Sequence, residues 1–407
     1  MEAVLVSHPH AAAFANGVAA AFERNGKLAM YVSGVVASPS GLSGRILNHL
    51  SGATPVMRNR IVEGVDPRRV RSLAAVELGA RLGARAFVTA GGGPGSVYNA
   101  VFVAHDTAVA LLKWPRGTDT VYAYEDAALR TFMRARRRGL SRVWDLPLPH
   151  YATLERMWNA ELARWPGAHG SGATAPIEPG WKKRRKDAEL GLATAVSVAS
   201  ANTRRSLEEL GTQVPVVVTP YGFPVETFQP KQQLSDGPFT VLAVGTQDLR
   251  KGTPYLLEAW KKADLKDARL RLVGPMNLSP RFLDSYAGLF EHVPHAANVA
   301  LGQIYRAADL LVFPTLGDGY GLVIQESMAC ATPVVTTPCG GGPESITDGQ
   351  TGWIVPPRDV DALVERLRFA AANRDKVFQV GLAARARAET WTWAKAGQSL
   401  VQALAGL

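Results

Sequence analysis

Short apolar runs alternate with amphipathic stretches along this chain, and the alternation stops once and restarts. That rhythm constrains the fold more than any single residue does. In the first half "AVLVSH" (3–8) is followed by "FANGVAAAFERNG" (14–26) with helical spacing. Then come "RAFVTA" (85–90), "TVYAYE" (120–125), "SRVWDL" (141–146), "AVSVAS" (195–200) and "VPVVVTP" (214–220). Buried strands separated by helical patterns are the βαβ signature of a parallel sheet covered on both faces. The break is "PYGFPVETFQPKQQLSDGP" (220–238), rich in Pro and Gly and without periodicity, which reads as an interdomain linker. Beyond it "FTVLAVG", "ARLRLVG", "LLVFP", "PVVTT" and "GWIVPP" read as strands. "TPYLLEAWKKA", "IYRAAD", "LVIQESMAC" and "DVDALVERLRFAAANRD" read as helices or helix ends, with Asp359 as an N-cap. The fold class is therefore α/β, with two doubly wound domains facing across a cleft: 1–219, a linker 220–238, and 239–385. The amphipathic end 386–407 is expected to cross back to the first domain. Residues 165–181, "WPGAHGSGATAPIEPGW", read as a flexible excursion.

At 407 residues the chain is too long for one core, which agrees with two domains. No apolar run approaches the roughly 18 residues needed to span a bilayer, and the start lacks the pattern of a signal peptide. Cys330 and Cys339 are too few for a disulfide framework and lack CxxC spacing, so a reducing cytoplasm is expected. Charge is uneven. Residues 1–215 hold 27 Lys and Arg against 17 Asp and Glu, whereas residues 216–407 hold 18 of each. The densest clusters are Arg134, Arg136, Arg137 and Arg138, and the run "KKRRK" at 182–186. They read either as solvated helix faces or as a surface for an anionic partner, such as the inner face of a membrane. Aromatic residues do not interleave with them, so no nucleic-acid partner is expected.

Three loops after strands carry chemistry. In "LLVFPTLGDGYGLVIQESMAC" a buried strand leads into Gly317, Gly319 and Gly321 and then a helix. Glycines there let backbone N–H groups approach a ligand, and a helix N-terminus favours negative charge. Asp318 and Glu326 flank that start. In "VLAVGTQDLRKGTPYLLEAW" the strand ends at Gly245 and Thr246, and Arg250 and Lys251 precede a helix that begins near Pro254. Two cations at a helix start suit a diphosphate. Both loops follow strands, so in a parallel sheet they open on the same edge. The third loop, "TPCGGGPESITDG", leaves room for a bulky ligand or forms a tight turn. In the first half "YEDAA" places Glu125 and Asp126 at a strand end, as acceptor ligands or helix-start acids. "VWDLPLPHY" offers Asp145 and His150.

The ordered set "RKG" (250–252), "YRAAD" (305–309), "DGYGLVIQESMACATPVV" (318–335), "GGPE" (341–344) and "DGQTGWIVPPRD" (348–359) resembles the donor-binding domain of the GT-B glycosyltransferases. Specifically, it is similar to the retaining family 4, glycosyl transferases group 1. The likeness spans about a third of the chain. It implies two Rossmann-like domains, a nucleotide-diphosphate sugar as donor, and transfer with retained configuration without a metal or other cofactor. By this likeness Lys251 and Arg250 would neutralise the diphosphate, Glu326 would hold the ribose, and Asp318 would orient the donor sugar. Gly319, Gly321 and Leu322 would line the donor by their backbone. Departures are Asp318 where Glu is usual, Thr246 where Arg is usual, Ala331 for a glycine, and "SHPHAAAFANG" for a Gly-rich turn. A histidine usual in the first domain is missing, with His150 or Asp145 in its neighbourhood.

The expected function is a glycosyltransferase acting on a glycan or lipid-linked acceptor, in the synthesis of a surface polysaccharide or glycolipid. It would sit in the cytoplasm, with possible peripheral contact between its basic first domain and an anionic membrane. The same fold also accommodates a nucleotide-sugar epimerase or a non-catalytic nucleotide-sugar-binding protein.

Overall fold

The computed structural model describes residues 1–37, 60–89, 95–170, 175, 177–234, 236–296 and 298–407. Two parallel sheets organise them. The first has seven strands: β1 (Val4–His8), β2 (Leu28–Ser33), β3 (Val70–Ser72), β4 (Thr120–Tyr124), β5 (Ser141–Leu146), β6 (Ala195–Val198) and β7 (Val216–Val218). Their order across the sheet is β3-β2-β1-β4-β5-β6-β7. The second has six strands: β8 (Phe239–Val244), β9 (Ala268–Val273), β10 (Glu291–Val293), β11 (Leu310–Phe313), β12 (Val334–Thr336) and β13 (Trp353–Ile354). Their order is β10-β9-β8-β11-β12-β13. The central strands are buried along their whole length, β1 and β4 in the first sheet and β8 and β11 in the second. That is why they read as continuous apolar runs. In each sheet the order reverses beside the first strand, between β1 and β4 and between β8 and β11. Such switch points open a crevice at the carboxyl ends of the strands.

Helices cover both faces. In the first half they are α1 (Ala13–Arg24), α2 (Ala74–Thr89), α3 (Gly95–Leu111), α4 (Leu129–Arg137), α5 (Tyr151–Arg164), α6 (Gly180–Leu192) and α7 (Ala201–Glu208). In the second they are α8 (Thr253–Ala263), α9 (Pro280–Leu283), α10 (Asn298–Arg306), α11 (Leu322–Ala329), α12 (Gly342–Ser345), α13 (Val360–Ala372), α14 (Arg374–Ala388) and α15 (Trp393–Ala405). Asp359 caps α13 by accepting the Ala362 N–H at 2.9 Å. Leu400, Val401 and Leu404 of α15 join the core on the α1 face of the first sheet.

Two expectations are corrected. "RAFVTA" is not a strand: its first five residues end α2, and Ala90 lies outside the described residues. A short apolar run after a helix-forming stretch cannot be told from a helix by periodicity. The flexible excursion is also partly wrong. Trp165 and Ala168 pack in the core of the second sheet, and Ser279 N–H donates to Ala168 O at 2.8 Å. Residues 171–174 and 176 of that stretch lie outside the described residues.

Helix α5 belongs to that same core, although its sequence lies between two strands of the first sheet. Leu154, Met157 and Trp158 pack with Tyr255, Leu256 and Leu316. Glu161, only 1 % exposed, accepts Tyr255 OH at 2.6 Å and Arg358 Nε at 2.6 Å. A carboxylate buried this deeply requires such partners. They fasten the first half of the chain to the second well away from the linker.

Candidate donor site

The two loops predicted to share an edge meet at the switch point of the second sheet. After β8, Asp248 Oδ1 accepts the Lys251 N–H at 2.7 Å and shapes the turn. Gly252 then adopts φ 72°, and a Cβ there would lie 2.0 Å from Pro314 O at the end of β11. Only glycine fits so close an approach in that conformation. The loops are also tied by Leu316 N–H to Arg250 O at 2.8 Å and by Arg250 Nη1 to Gly317 O at 2.8 Å.

Lys251 Nζ lies 2.5 Å from Asp318 Oδ2, and its ammonium sits 4.9 Å from the centre of the Phe313 ring. Burial opposes ionisation of Asp318. The charges of Lys251 and Arg250 outweigh it and hold this carboxyl below its ordinary value. Glu326 stands apart on α11. It is half-buried and accepts Tyr305 OH at 2.7 Å, while burial pushes its carboxyl up. Gly321 is the N-cap of α11 at φ 79°, and Leu322 and Thr246 are half-buried. Gly245, at φ 121°, closes β8 through its N–H to Val273 O at 2.9 Å. The loop with three glycines is a tight turn: a Cβ on Gly341 would lie 2.4 Å from the Tyr320 ring.

In this structure Lys251 is thus committed to Asp318, and Arg250 to the loop backbone. The loop that carries Asp318 also rests on the first domain. A Cβ on Gly319 would fall 1.6 Å from Pro147 O. Ser200 Oγ donates to Gly319 O, Asn202 Nδ2 donates to Asp318 O at 3.1 Å, and Ala201 N–H donates to Glu344 Oε1 at 2.6 Å.

The first-domain candidates scatter. Asp145 is 1 % exposed beneath the edge, accepting Tyr122 OH and, at 3.3 Å, Tyr221 OH. Burial drives it up to about 7, against the pull of the two phenols. His150 caps α5, its Nδ1 accepting Ala152 N–H at 3.4 Å, and burial lowers it to about 4. Neither side chain reaches the loop that carries Asp318 by a hydrogen bond among the described residues. Glu125 and Asp126 do lie at the first switch point, paired with Lys186 at 2.9 Å and Lys182 at 3.0 Å.

These pairs correct the reading of "KKRRK" as a free basic face. Lys182, Arg185 and Lys186 are buried, and Arg185 is ion-paired to Asp106 and Glu189. In the other cluster Arg134 stacks on Trp114 with 4.3 Å from its guanidinium carbon to the ring centre, whereas Arg136 and Arg137 are exposed. Among the described residues no group of three His, Cys, Asp or Glu side chains is placed to hold a metal ion. Nor is any described helix long and apolar enough to cross a membrane. Tyr305 went unassigned at sequence level although it opens the quoted "YRAAD".

Residues 238–373 match the family model described as glycosyl transferases group 1. Among solved structures, sucrose-phosphate synthase from Thermosynechococcus elongatus superposes with a TM-score of 0.63, covering 99 % of this chain and 98 % of that one at 17 % identity. HepE of Anabaena in complex with UDP-glucose superposes with a TM-score of 0.62, covering all of both chains at 14 % identity. The second domain thus matches the group 1 glycosyltransferases, and the whole chain shares the two-domain GT-B fold of these solved structures. D-inositol 3-phosphate glycosyltransferase of Arthrobacter sp. (strain FB24) is 31 % identical over 242 residues, which are 53 % of this chain and 54 % of that protein. Its counterpart in Mycobacterium bovis (strain BCG / Pasteur 1173P2) is 32 % identical over 139 residues, 33 % of this chain and 27 % of that protein. The chain therefore spans about half the length, or less, of these curated relatives. The family match lies wholly in the second domain, where Lys251, Asp318 and Glu326 sit. For the first domain the solved structures establish the fold alone.

Proposed function

We propose that this chain transfers a sugar from a nucleotide-diphosphate donor to a hydroxyl of a glycan or lipid-linked acceptor, with retention of anomeric configuration. The observation that carries the reading is Lys251 at the switch point of the second sheet, 2.5 Å from Asp318, with Glu326 on the helix leaving the same loop. In the reaction the bond between the anomeric carbon and the diphosphate oxygen breaks, and the electron pair stays on the diphosphate. The acceptor oxygen bonds to the anomeric carbon from the same face, and its proton leaves with the diphosphate. Lys251 offsets the charge that grows on the leaving group. Its ammonium turns from Asp318 to the phosphate when donor binds, which frees Asp318 to accept sugar hydroxyls. Arg250 keeps the loop in shape through Gly317 O and adds positive potential. Glu326, oriented by Tyr305, takes the ribose hydroxyls, and the backbone at Gly319, Gly321 and Leu322 lines the donor sugar. Glu125 and Asp126 stand on the acceptor side. His150 and Asp145 support the first-domain framework under this reading.

HepE is a neighbour bound to UDP-glucose, so uridine donors come first in the test. Thermal shift with a panel of UDP- and GDP-sugars is expected to show stabilisation by at least one of them. That stabilisation should be lost in Lys251→Ala and Glu326→Ala. A panel without any shift, or shifts that both variants retain, would sink the proposal. D-inositol 3-phosphate, named in the relatives, belongs in the acceptor panel. Exposed Arg136 and Arg137 give the membrane contact its own test: salt-sensitive binding to anionic vesicles, refuted by no binding or by binding indifferent to salt.

A further inference from the structure

Two successive carbonyls of the Asp318 loop are held from the other domain. Asp318 O accepts Asn202 Nδ2 at 3.1 Å, and Gly319 O accepts Ser200 Oγ. Both donors stand at the start of α7. The same Ser200 hydroxyl caps that helix by accepting Thr203 N–H at 3.2 Å. Ala201 N–H, at the same helix start, is taken by Glu344 Oε1 at 2.6 Å, so the "GGPE" loop in turn holds α7. Only the nitrogen of a side-chain amide can donate to a carbonyl, which fixes how the Asn202 amide is turned.

The Asp318 carbonyl bears on chemistry because of the peptide it belongs to. Asp318 C=O and Gly319 N–H are opposite ends of one planar unit. Gly319 N–H donates to Asp318 Oδ1 at 2.9 Å, while Lys251 Nζ holds Oδ2 at 2.5 Å. Fixing the carbonyl therefore fixes the N–H that orients the carboxylate. Asp318 N–H is itself anchored on Cys339 O at 2.8 Å. The anchors at Gly319, Lys251 and Cys339 belong to the second domain, whereas Asn202 belongs to the first. When the Lys251 ammonium turns to a phosphate, as proposed above, the Gly319 N–H stays on the carboxylate, and its direction then depends on Asn202.

Building on the glycosyl-transfer reading, we infer that Asn202 is a positioning residue: from the first domain it sets the direction of the Asp318 carboxylate, and through it the hold on the donor sugar but not on the nucleotide.

Calorimetry on the full chain tests this with UDP- and GDP-sugars and with UDP and GDP alone. Asn202→Ala should weaken binding of the nucleotide sugar about fivefold, the worth of one hydrogen bond, and leave the nucleoside diphosphate unchanged. Asn202→Asp, of the same shape but without a donor, should weaken it at least as much. Once Asp318→Ala has removed the carboxylate, Asn202→Ala should add nothing. A second readout needs no donor. Burial opposes ionisation of Asp318, and Lys251, Arg250 and the Gly319 N–H favour it, with Asp248 also within electrostatic reach. In carboxyl-carbon NMR titrations Asp318 should therefore ionise at higher pH in Asn202→Ala than in the wild type, because a misaligned N–H favours the anion less. The inference is overturned if Asp318 titrates alike in both, if the variant loses nucleotide sugar and diphosphate equally, or if its effect survives in Asp318→Ala. A wild type that binds no nucleotide sugar would count against the glycosyl-transfer proposal, and the carboxyl titration would still decide the role of Asn202.

Discussion

The two switch points of this molecule are built from opposite materials. At the second, between β8 and β11, backbone bonds between two loops carry a cation and a carboxylate face to face, Lys251 and Asp318. At the first, between β1 and β4, the polar groups sit among rings. His8 lies 4.6 Å from Tyr124 between ring centres, His105 Nε2 lies 3.0 Å from Ser7 Oγ, and burial lowers both histidines to about 3. They are neutral imidazoles near pH 7. One edge is thus charged and suits a ligand that changes charge in the reaction. The other is largely neutral at its centre, with paired charges at its margin, and suits a ligand recognised by shape and hydroxyls. The same topology serves both because strand order creates the crevice and the loops fill it.

The largest expected effect breaks the charged edge. Lys251→Ala removes the group proposed to stabilise the leaving diphosphate and leaves Asp318 without its cation. We expect turnover to fall about 100- to 1000-fold, the scale on which a single electrostatic stabiliser is felt. Single-turnover kinetics at saturating donor would measure it. A loss confined to donor KM, with turnover intact, would mean that Lys251 binds the ground state only.

A second effect probes burial at the neutral edge through Asp145. Its folded value of about 7 lies above its ordinary 3.8 because burial penalises the anion, with a smaller push from Glu125. The folded state therefore keeps this proton while the unfolded state loses it. Between about pH 4 and pH 7 the unfolded state binds fewer protons, so stability falls as pH rises and levels off above about 7. The loss is on the order of 4 kcal/mol. Asp145→Asn should abolish this component. Denaturant titrations at pH 5 and pH 8 should show the wild type losing stability across that interval by more than the variant does. Equal losses would place the carboxyl in a wetter setting than its two tyrosine partners indicate.

Legibility followed the same divide. The second edge could be read because its chemistry is local. "RKG" and "GDGYG" each pack glycines and charges into one loop, and parallel strands bring the loops together. The first edge could not, because its groups come from distant segments: His8 at the end of β1, Tyr98 and His105 on α3, Asp126 after β4, Lys182 on α6. No spacing in sequence signals that Lys182 reaches Asp126. Charge counting misled for the same reason, since "KKRRK" looks free until the acids it neutralises are seen. Asp145 and His150 were plausible by proximity in sequence to a strand end, and only packing reveals that tyrosines and a helix start use them. Nor does alternation reveal that α5 leaves its own sheet to join the other core.

Where the edges touch, Gly319 lies against Pro147 O, with no room for a methyl group. Gly319→Ala should force the donor loop off the first domain and cost about 2 kcal/mol, typical of overpacking a close contact. Thermal denaturation would measure it. Unchanged stability would show that the two edges separate freely in solution.

The smallest effect concerns Tyr305, which touches Glu326 and lies on the side of the charged edge that Lys251 does not reach. Tyr305→Phe keeps the buried ring and removes one hydrogen bond of 2.7 Å to a half-buried carboxylate. That bond favours the ionised form, so its loss should push Glu326 further up and leave it free to rotate. The cost should be about 1 kcal/mol, roughly fivefold in donor affinity, with little change in turnover. Because Glu326 would then ionise later, the donor-binding limb of the pH profile should shift to higher pH relative to the wild type. A turnover defect comparable to that of Lys251→Ala would instead place Glu326 at the reacting centre and blur the division between a group that binds the nucleotide and one that meets the developing charge.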